Sequence, residues 1–129
     1  MRYLLDTHVV LWMFEDDPRL TSKSKQVLDA HESILYVSSI CFWEITIKSA
    51  LGKLQTSQPA AILMRSLEQI KVQILNILPQ HLETLEKLPL HHKDPFDRLF
   101  IATALTESLV LISADKHFSA YESLEVMWQ

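Results

Sequence analysis

The chain has 129 residues, 48% of them apolar, with 12 basic against 16 acidic side chains and a net charge of −4. That is one domain, residues 1–129, with a core of its own, and too acidic to hold nucleic acid by bulk electrostatics unless metal ions supply positive charge locally. The single glycine, Gly52, excludes the glycine-rich phosphate loops, and the single cysteine, Cys41, excludes an internal disulfide. With no apolar run near the ~20 residues of a membrane span and no signal-like N-terminus, a cytoplasmic protein is expected.

Tyr3-Leu4-Leu5, ending at Asp6, reads as a buried strand, and His8 to Phe14 as a helix. Thr21 or Ser22 caps a second helix, with Val27 and Leu28 on its inner side. Ile34 to Val37 is β-branched and aromatic, hence a strand. Ser38 or Ser39 caps the next helix, Ile40 to Leu51, which stops at Gly52. Pro59 opens a helix to about Ile70, Val72 to Leu78 contains a strand, and Pro79 starts a short helix to about Leu88. Asp94-Pro95 is an N-cap followed by proline at the first helical position, so a helix runs from Pro95 to Glu107. Leu109 to Ile112 is another buried strand, His117-Phe118 lies in a turn, and Leu124 to Trp128 is a last strand. Apolar strands alternating with helices indicate an α/β domain with a parallel sheet covered on both faces.

In such sheets ligands bind at the carboxyl edge of the strands. Asp6 and Asp115 follow strands, Glu44 sits on a helix that begins just after one, and Asp97 lies in the first turn of the helix that Asp94 caps. The topology therefore brings four carboxylates from four segments to one edge. Each has an ordinary structural alternative. Asp6 and Asp115 can cap turns, Asp97 suits a helix N-terminus, and Glu44 can pair with Lys48. Glu44 also falls among Ile40, Trp43, Ile47 and Leu51, an apolar stripe where a carboxylate is costly unless paired or bound to metal. Acids gathered together repel one another, and a hard divalent ion such as Mg²⁺ or Mn²⁺ removes that conflict. Ions held this way can bridge a phosphodiester and activate water.

Leu-Leu-Asp-Thr-His at 4–8, Val-Ser-Ser-Ile-Cys-Phe-Trp-Glu-Ile at 37–45, His-His-Lys-Asp-Pro-Phe-Asp-Arg-Leu at 91–99 and Ser-Ala-Asp at 113–115 resemble the PIN-domain ribonucleases, in particular the VapC-type toxins of toxin–antitoxin systems. The resemblance spans essentially the whole chain. It implies a three-layer α/β/α sandwich around a five-stranded parallel sheet, and an acidic catalytic and metal site at Asp6, Glu44, Asp97 and Asp115. It further implies Mg²⁺ or Mn²⁺ as cofactor, RNA as substrate, a homodimer, and a small antitoxin that inserts a basic side chain into the site. The family's hydroxyl residue corresponds to Thr7 or Ser113, either of which can orient a carboxylate.

His8, His91, His92 and His117 read as solvated or capping, since adjacent side chains in an extended segment point opposite ways. Arg98 reads as a salt-bridge partner, and Trp12, Trp43 and Trp128 as core. Lys48, Lys93 and Lys116 are candidates for RNA backbone contact. The helix from Pro59 carries Ile62, Leu63, Met64, Leu67 and Ile70, more apolar surface than one packing face needs, which suggests an antitoxin or dimer contact. The alternatives are a PIN-like binding module without catalysis and a phosphatase with an aspartyl nucleophile. The latter requires a second acid two residues after Asp6, where His8 stands.

Overall fold

The computed structural model describes residues 1–128. Five strands form one sheet: β1 (Arg2–Leu5), β2 (Ile34–Ser38), β3 (Gln73–Leu75), β4 (Val110–Ile112) and β5 (Val126–Met127). Their order is β3-β2-β1-β4-β5, and every pairing is parallel. The helices are α1 (Thr7–Glu15), α2 (Ser22–Asp29), α3 (Ile40–Ala50), α4 (Ala60–Glu68), α5 (Pro79–Lys87) and α6 (Pro95–Glu107), with a 3₁₀ turn at Lys116–Ala120.

From β1 the chain steps outward to β2 and β3, then crosses over the sheet through α5 and α6 to β4 and β5. Right-handed crossovers place helices that lead in opposite directions on opposite faces, which gives the expected three layers. The direction reverses between β1 and β4, and the carboxyl ends of these two strands flank a crevice. Leu4 lies opposite Leu111 and Leu5 opposite Ile112, all four without solvent exposure. The backbone N–H of Asp6 donates to the Ile112 carbonyl (3.1 Å), and that of Ser113 to the Met127 carbonyl (3.3 Å). The ladder thus continues one residue past each strand and fixes where Asp6 and Ser113 leave the sheet.

The caps follow the sequence closely. Thr21 accepts the Ser24 N–H at 3.1 Å, and Asp94 accepts those of Phe96 (2.8 Å) and Asp97 (3.3 Å). Gly52, with φ +72°, takes the left-handed conformation just past α3 that a β-carbon would strain. Asp16 and Ser108 do the same job after α1 and α6 without glycine. Two elements are shorter than the sequence suggests: α4 stops at Glu68 and β5 has two residues. At a sheet edge only one neighbour offers ladder bonds, so apolar character alone overstates the strand.

Three expectations are corrected. Trp12 is buried and Trp128 partly so, with ring centroids 5.7 Å apart, but Trp43 is 57% exposed and touches Phe96 edge-on at 5.3 Å. The stripe of Trp43, Ile47 and Leu51 faces outward, and α3 buries Cys41, Phe42 and Ile45 instead. Among the described residues Arg98 meets no acid: its guanidinium donates to the carbonyls of Pro89 (3.0 Å), Leu88 (3.4 Å) and Leu85 (3.5 Å), tying α5 and the loop after it to α6. Leu111 is enclosed between β1 and β5, so Leu111→Ala is expected to cost about 2–5 kcal/mol by urea denaturation, with an unchanged m-value.

Candidate metal centre

Asp6 ends β1 and caps α1, its Oδ1 accepting the Val9 N–H at 3.0 Å. Its other oxygen accepts the Ser113 hydroxyl, and Ser113 Oγ in turn accepts the Asp115 N–H at 3.0 Å. One hydroxyl therefore links two of the expected acids across the β1–β4 crevice. On the other side of Asp6, the Thr7 hydroxyl donates to Oε1 of Glu44. The two candidate hydroxyls serve different carboxylates, Ser113 that of Asp6 and Thr7 that of Glu44.

Glu44 is buried, at 3% exposure, although its apolar neighbours on the sequence stripe are not. It points inward beside Cys41 and Ile45, and its Oε2 accepts from the Lys48 ammonium. Lys48 also reaches Oδ2 of Asp94 at 2.8 Å. Burial disfavours the charged lysine, but the two carboxylates outweigh it and raise the Lys48 pKa. Burial likewise opposes ionisation of Asp94, yet Lys48 and the Phe96 N–H hold its pKa below the usual carboxylate value.

Asp97 differs from all of these. Among the described residues no donor meets its carboxylate. Burial, and then the negative charges of Asp94 and Glu44, push its pKa up to about 7. Asp6 is also raised, chiefly by burial, against the opposing hydrogen bonds from Ser113 and Val9. Asp97 stands where two sets of ligand atoms overlap, each set within 4.8 Å: Glu44, Asp94 and Asp97 in one, His92, Asp97 and Asp115 in the other. Of the four acids expected from the sequence, Glu44, Asp97 and Asp115 fall in these sets. Asp6 lies outside both sets, near enough for its charge to act on Asp97.

Two members went unrecognised in the sequence. Asp94 does more than cap α6: one oxygen takes the helix N–H groups and the other faces Lys48. His92 is partly buried, not solvated, its ring stacked on Phe118 and Tyr121 with centroids 4.9 and 5.4 Å away. The signal for both is the run from His91 to Asp97, which sets two histidines and two aspartates within seven residues. His91 is exposed, edge-on to Tyr121, and the exposed His117 lies 2.9 Å from an Asp115 oxygen. Cys41 is no nucleophile, because burial pushes its thiol up to about 12.

A crossed-over parallel sheet with acids at its switch point defines a class of carboxylate-centred α/β domains. The PIN domain family model matches residues 3–124, and the chain belongs to that family. A Mycobacterium tuberculosis protein, Ribonuclease VapC22, is 28% identical over 119 residues, covering 92% of this chain and 90% of its own. Among solved structures, VapBC2 from Rickettsia felis bound to a promoter DNA fragment superposes with a TM-score of 0.76 at 16% identity, covering all of both chains. VapBC-1 from nontypeable Haemophilus influenzae gives 0.68 at 24% identity, covering 98% of this chain and 97% of that one.

The Asp97 carboxyl has a stability consequence whose sign is fixed. Its pKa is about 7 folded against 3.8 in the unfolded chain, so between these values the folded protein holds the extra proton. Its contribution to stability is therefore largest at low pH and is lost as pH rises through about 7. In metal-free protein, Asp97→Asn is expected to raise stability at pH 8 by about 1–2 kcal/mol, reduced from the full linkage value because the carboxyl is partly solvated. Denaturation of both proteins from pH 4 to pH 8 is expected to give a shallower pH dependence for the variant.

Proposed function

We propose that the protein is a Mg²⁺- or Mn²⁺-dependent endoribonuclease, the toxin of a toxin–antitoxin pair. The observation that carries this reading is Asp97: a carboxylate without a hydrogen-bond donor among the described residues, shared by two sets of ligand atoms each within 4.8 Å. A divalent ion suits such an arrangement, and the carboxylate oxygens that dominate it are donors of the kind Mg²⁺ or Mn²⁺ takes. Glu44, Asp97 and Asp115 would hold it, with Asp6 contributing directly or through water. When bound, the ion would neutralise a phosphodiester and activate the attacking water.

The chain's own residues prepare that chemistry. Thr7 and Ser113 fix the rotamers of Glu44 and Asp6, so these oxygens are in place before an ion arrives. Asp94 and Glu44 hold Lys48 at the rim of the site, where its ammonium can meet a phosphate oxygen. Beside it runs an open cleft of about 320 Å³, lined by Lys48, Lys53, Lys93, Asp94 and Phe96 among others. Three lysines along one cleft offer a path for an RNA backbone on a chain that is otherwise acidic.

Membership in the PIN family and the likeness to a VapC ribonuclease support RNA as substrate, and the VapBC neighbours support an antitoxin partner. Trp43 and Ile47 on α3, Leu51 at its C-terminal cap, Ile62 on α4 and Ile70 just beyond that helix leave apolar side chains exposed for that partner or for a second copy of the chain. Leu63 and Leu67 are buried, so α4 divides its apolar side chains between the core and the surface. No helix among the described residues is long and apolar enough to cross a membrane. A cytoplasmic site of action is consistent with this and with an RNA substrate.

Purified protein is expected to cut structured RNA at discrete positions with Mg²⁺ or Mn²⁺ and to stop when the ion is chelated. Asp97→Asn is expected to lower the rate on the order of 100-fold or more while remaining folded. Equal cleavage patterns from both proteins, together with no divalent binding by calorimetry, would turn the assignment to a PIN-like binding module.

A further inference from the structure

His92 is the one buried side-chain nitrogen among the described residues without a hydrogen-bond partner, at its Nε2 atom. A buried polar atom is costly until a partner meets it. The Tyr121 hydroxyl donates to the Pro89 carbonyl at 3.3 Å, and its oxygen lies 3.3 Å from His92 Nδ1. In the tautomer with the imidazole proton on Nδ1, that nitrogen donates to the Tyr121 oxygen and Nε2 carries a free lone pair.

A ring nitrogen of His92 belongs to the same cluster as an oxygen of Asp97 and one of Asp115, all within 4.8 Å of one another. The histidine forms no ion pair with either acid, whereas His117 pairs with Asp115 at 2.9 Å and His81 with Glu107 at 2.7 Å. Around an octahedral ion with ~2.1 Å bonds, opposite ligands lie ~4.2 Å apart and adjacent ones ~3.0 Å. The three side chains would close on one by rotations that carry their ligand atoms on the order of 1 Å. The ring is stacked on Phe118 and on Tyr121, and its loop is tied down where Arg98 donates to the Pro89 carbonyl at 3.0 Å. A ligating histidine has the same construction: one nitrogen bound to a protein acceptor, the other open.

We infer that His92 is a nitrogen ligand, acting with Asp97 and Asp115 to hold a divalent transition ion such as Mn²⁺ in preference to Mg²⁺. Imidazole binds first-row transition ions well and Mg²⁺ poorly, so one nitrogen among oxygens shifts the choice of ion. Asp97 would then stand between two subsites of different character, an oxygen-only one toward Glu44 and Asp94 and a mixed one toward His92 and Asp115. Arg98 and Tyr121 would be positioning residues for it. The inference rests on the divalent-cation reading of the acidic site.

The test is pulsed electron paramagnetic resonance of Mn²⁺ bound to protein carrying ¹⁵N-labelled histidine, with calorimetric Mn²⁺ and Mg²⁺ titrations beside it. Wild type is expected to show a directly coordinated histidine nitrogen that is lost in His92→Gln. In that variant Mn²⁺ affinity is expected to fall about tenfold or more, and Mg²⁺ affinity by less than about threefold. Bound Mn²⁺ without nitrogen coupling in wild type would overturn the role of His92 and leave the acidic site standing. This outcome is read on wild type alone, whether or not the variant folds. Coupling that persists in folded His92→Gln would move the ligand to another histidine and equally overturn the inference. No Mn²⁺ binding by wild type would remove the cation reading itself.

Discussion

Repulsion among carboxylates is the constraint around which this molecule is arranged. Asp6, Glu44, Asp94 and Asp97 come from three separate segments and act on one another through a medium that burial has made poorly screening. Each of the first three has an answer. Ser113 and a helix N–H serve Asp6, Thr7 and Lys48 serve Glu44, and Lys48 with two helix N–H groups serves Asp94. Asp97 has none among the described residues, and burial with the neighbouring negative charges raises its pKa. A carboxyl perturbed in this way is the feature on which the proposed ion site rests.

The same side chains do structural and chemical work. Asp6, Asp94 and Asp115 are each the N-cap of a helix or helical turn, each placed at the carboxyl edge of the sheet. Capping requires only one carboxylate oxygen, so the other is free to face the crevice. For Asp94 this division is complete, with Oδ1 on the helix and Oδ2 on Lys48. The reading of these aspartates as caps holds, and it leaves a second oxygen of each for the role proposed for the site.

Lys48 gives the apo site its electrostatic balance. It supplies one positive charge where the acids are densest, and it lies at the boundary between the acidic crevice and the lysine-lined cleft. A partner with a basic side chain, an ion or a phosphate would each have to share this environment with it. The exposed apolar residues of α3 stand on the same helix as Glu44 and Lys48. A protein bound to that surface would lie close to the site.

Much was determined by the sequence alone. Alternation of apolar strands with capped helices defined a parallel α/β sheet, and acids directly after strands had to reach its carboxyl edge, because chain direction leaves them nowhere else. Gly52, Asp94-Pro95 and the burial of Leu4, Leu5, Leu111 and Ile112 follow from local chemistry that operates in any fold. The face of α3 that is buried could not be read this way. Trp43, Ile47 and Leu51 are as apolar as Cys41, Phe42 and Ile45, and only the position of the helix against α4, α1, α6 and β2 chose between them. Nor could sequence spacing disclose His92, whose open nitrogen depends on a tyrosine 29 residues away and that tyrosine's bond to Pro89. A lone pair is assigned by its partners in three dimensions, and those partners are chosen by packing.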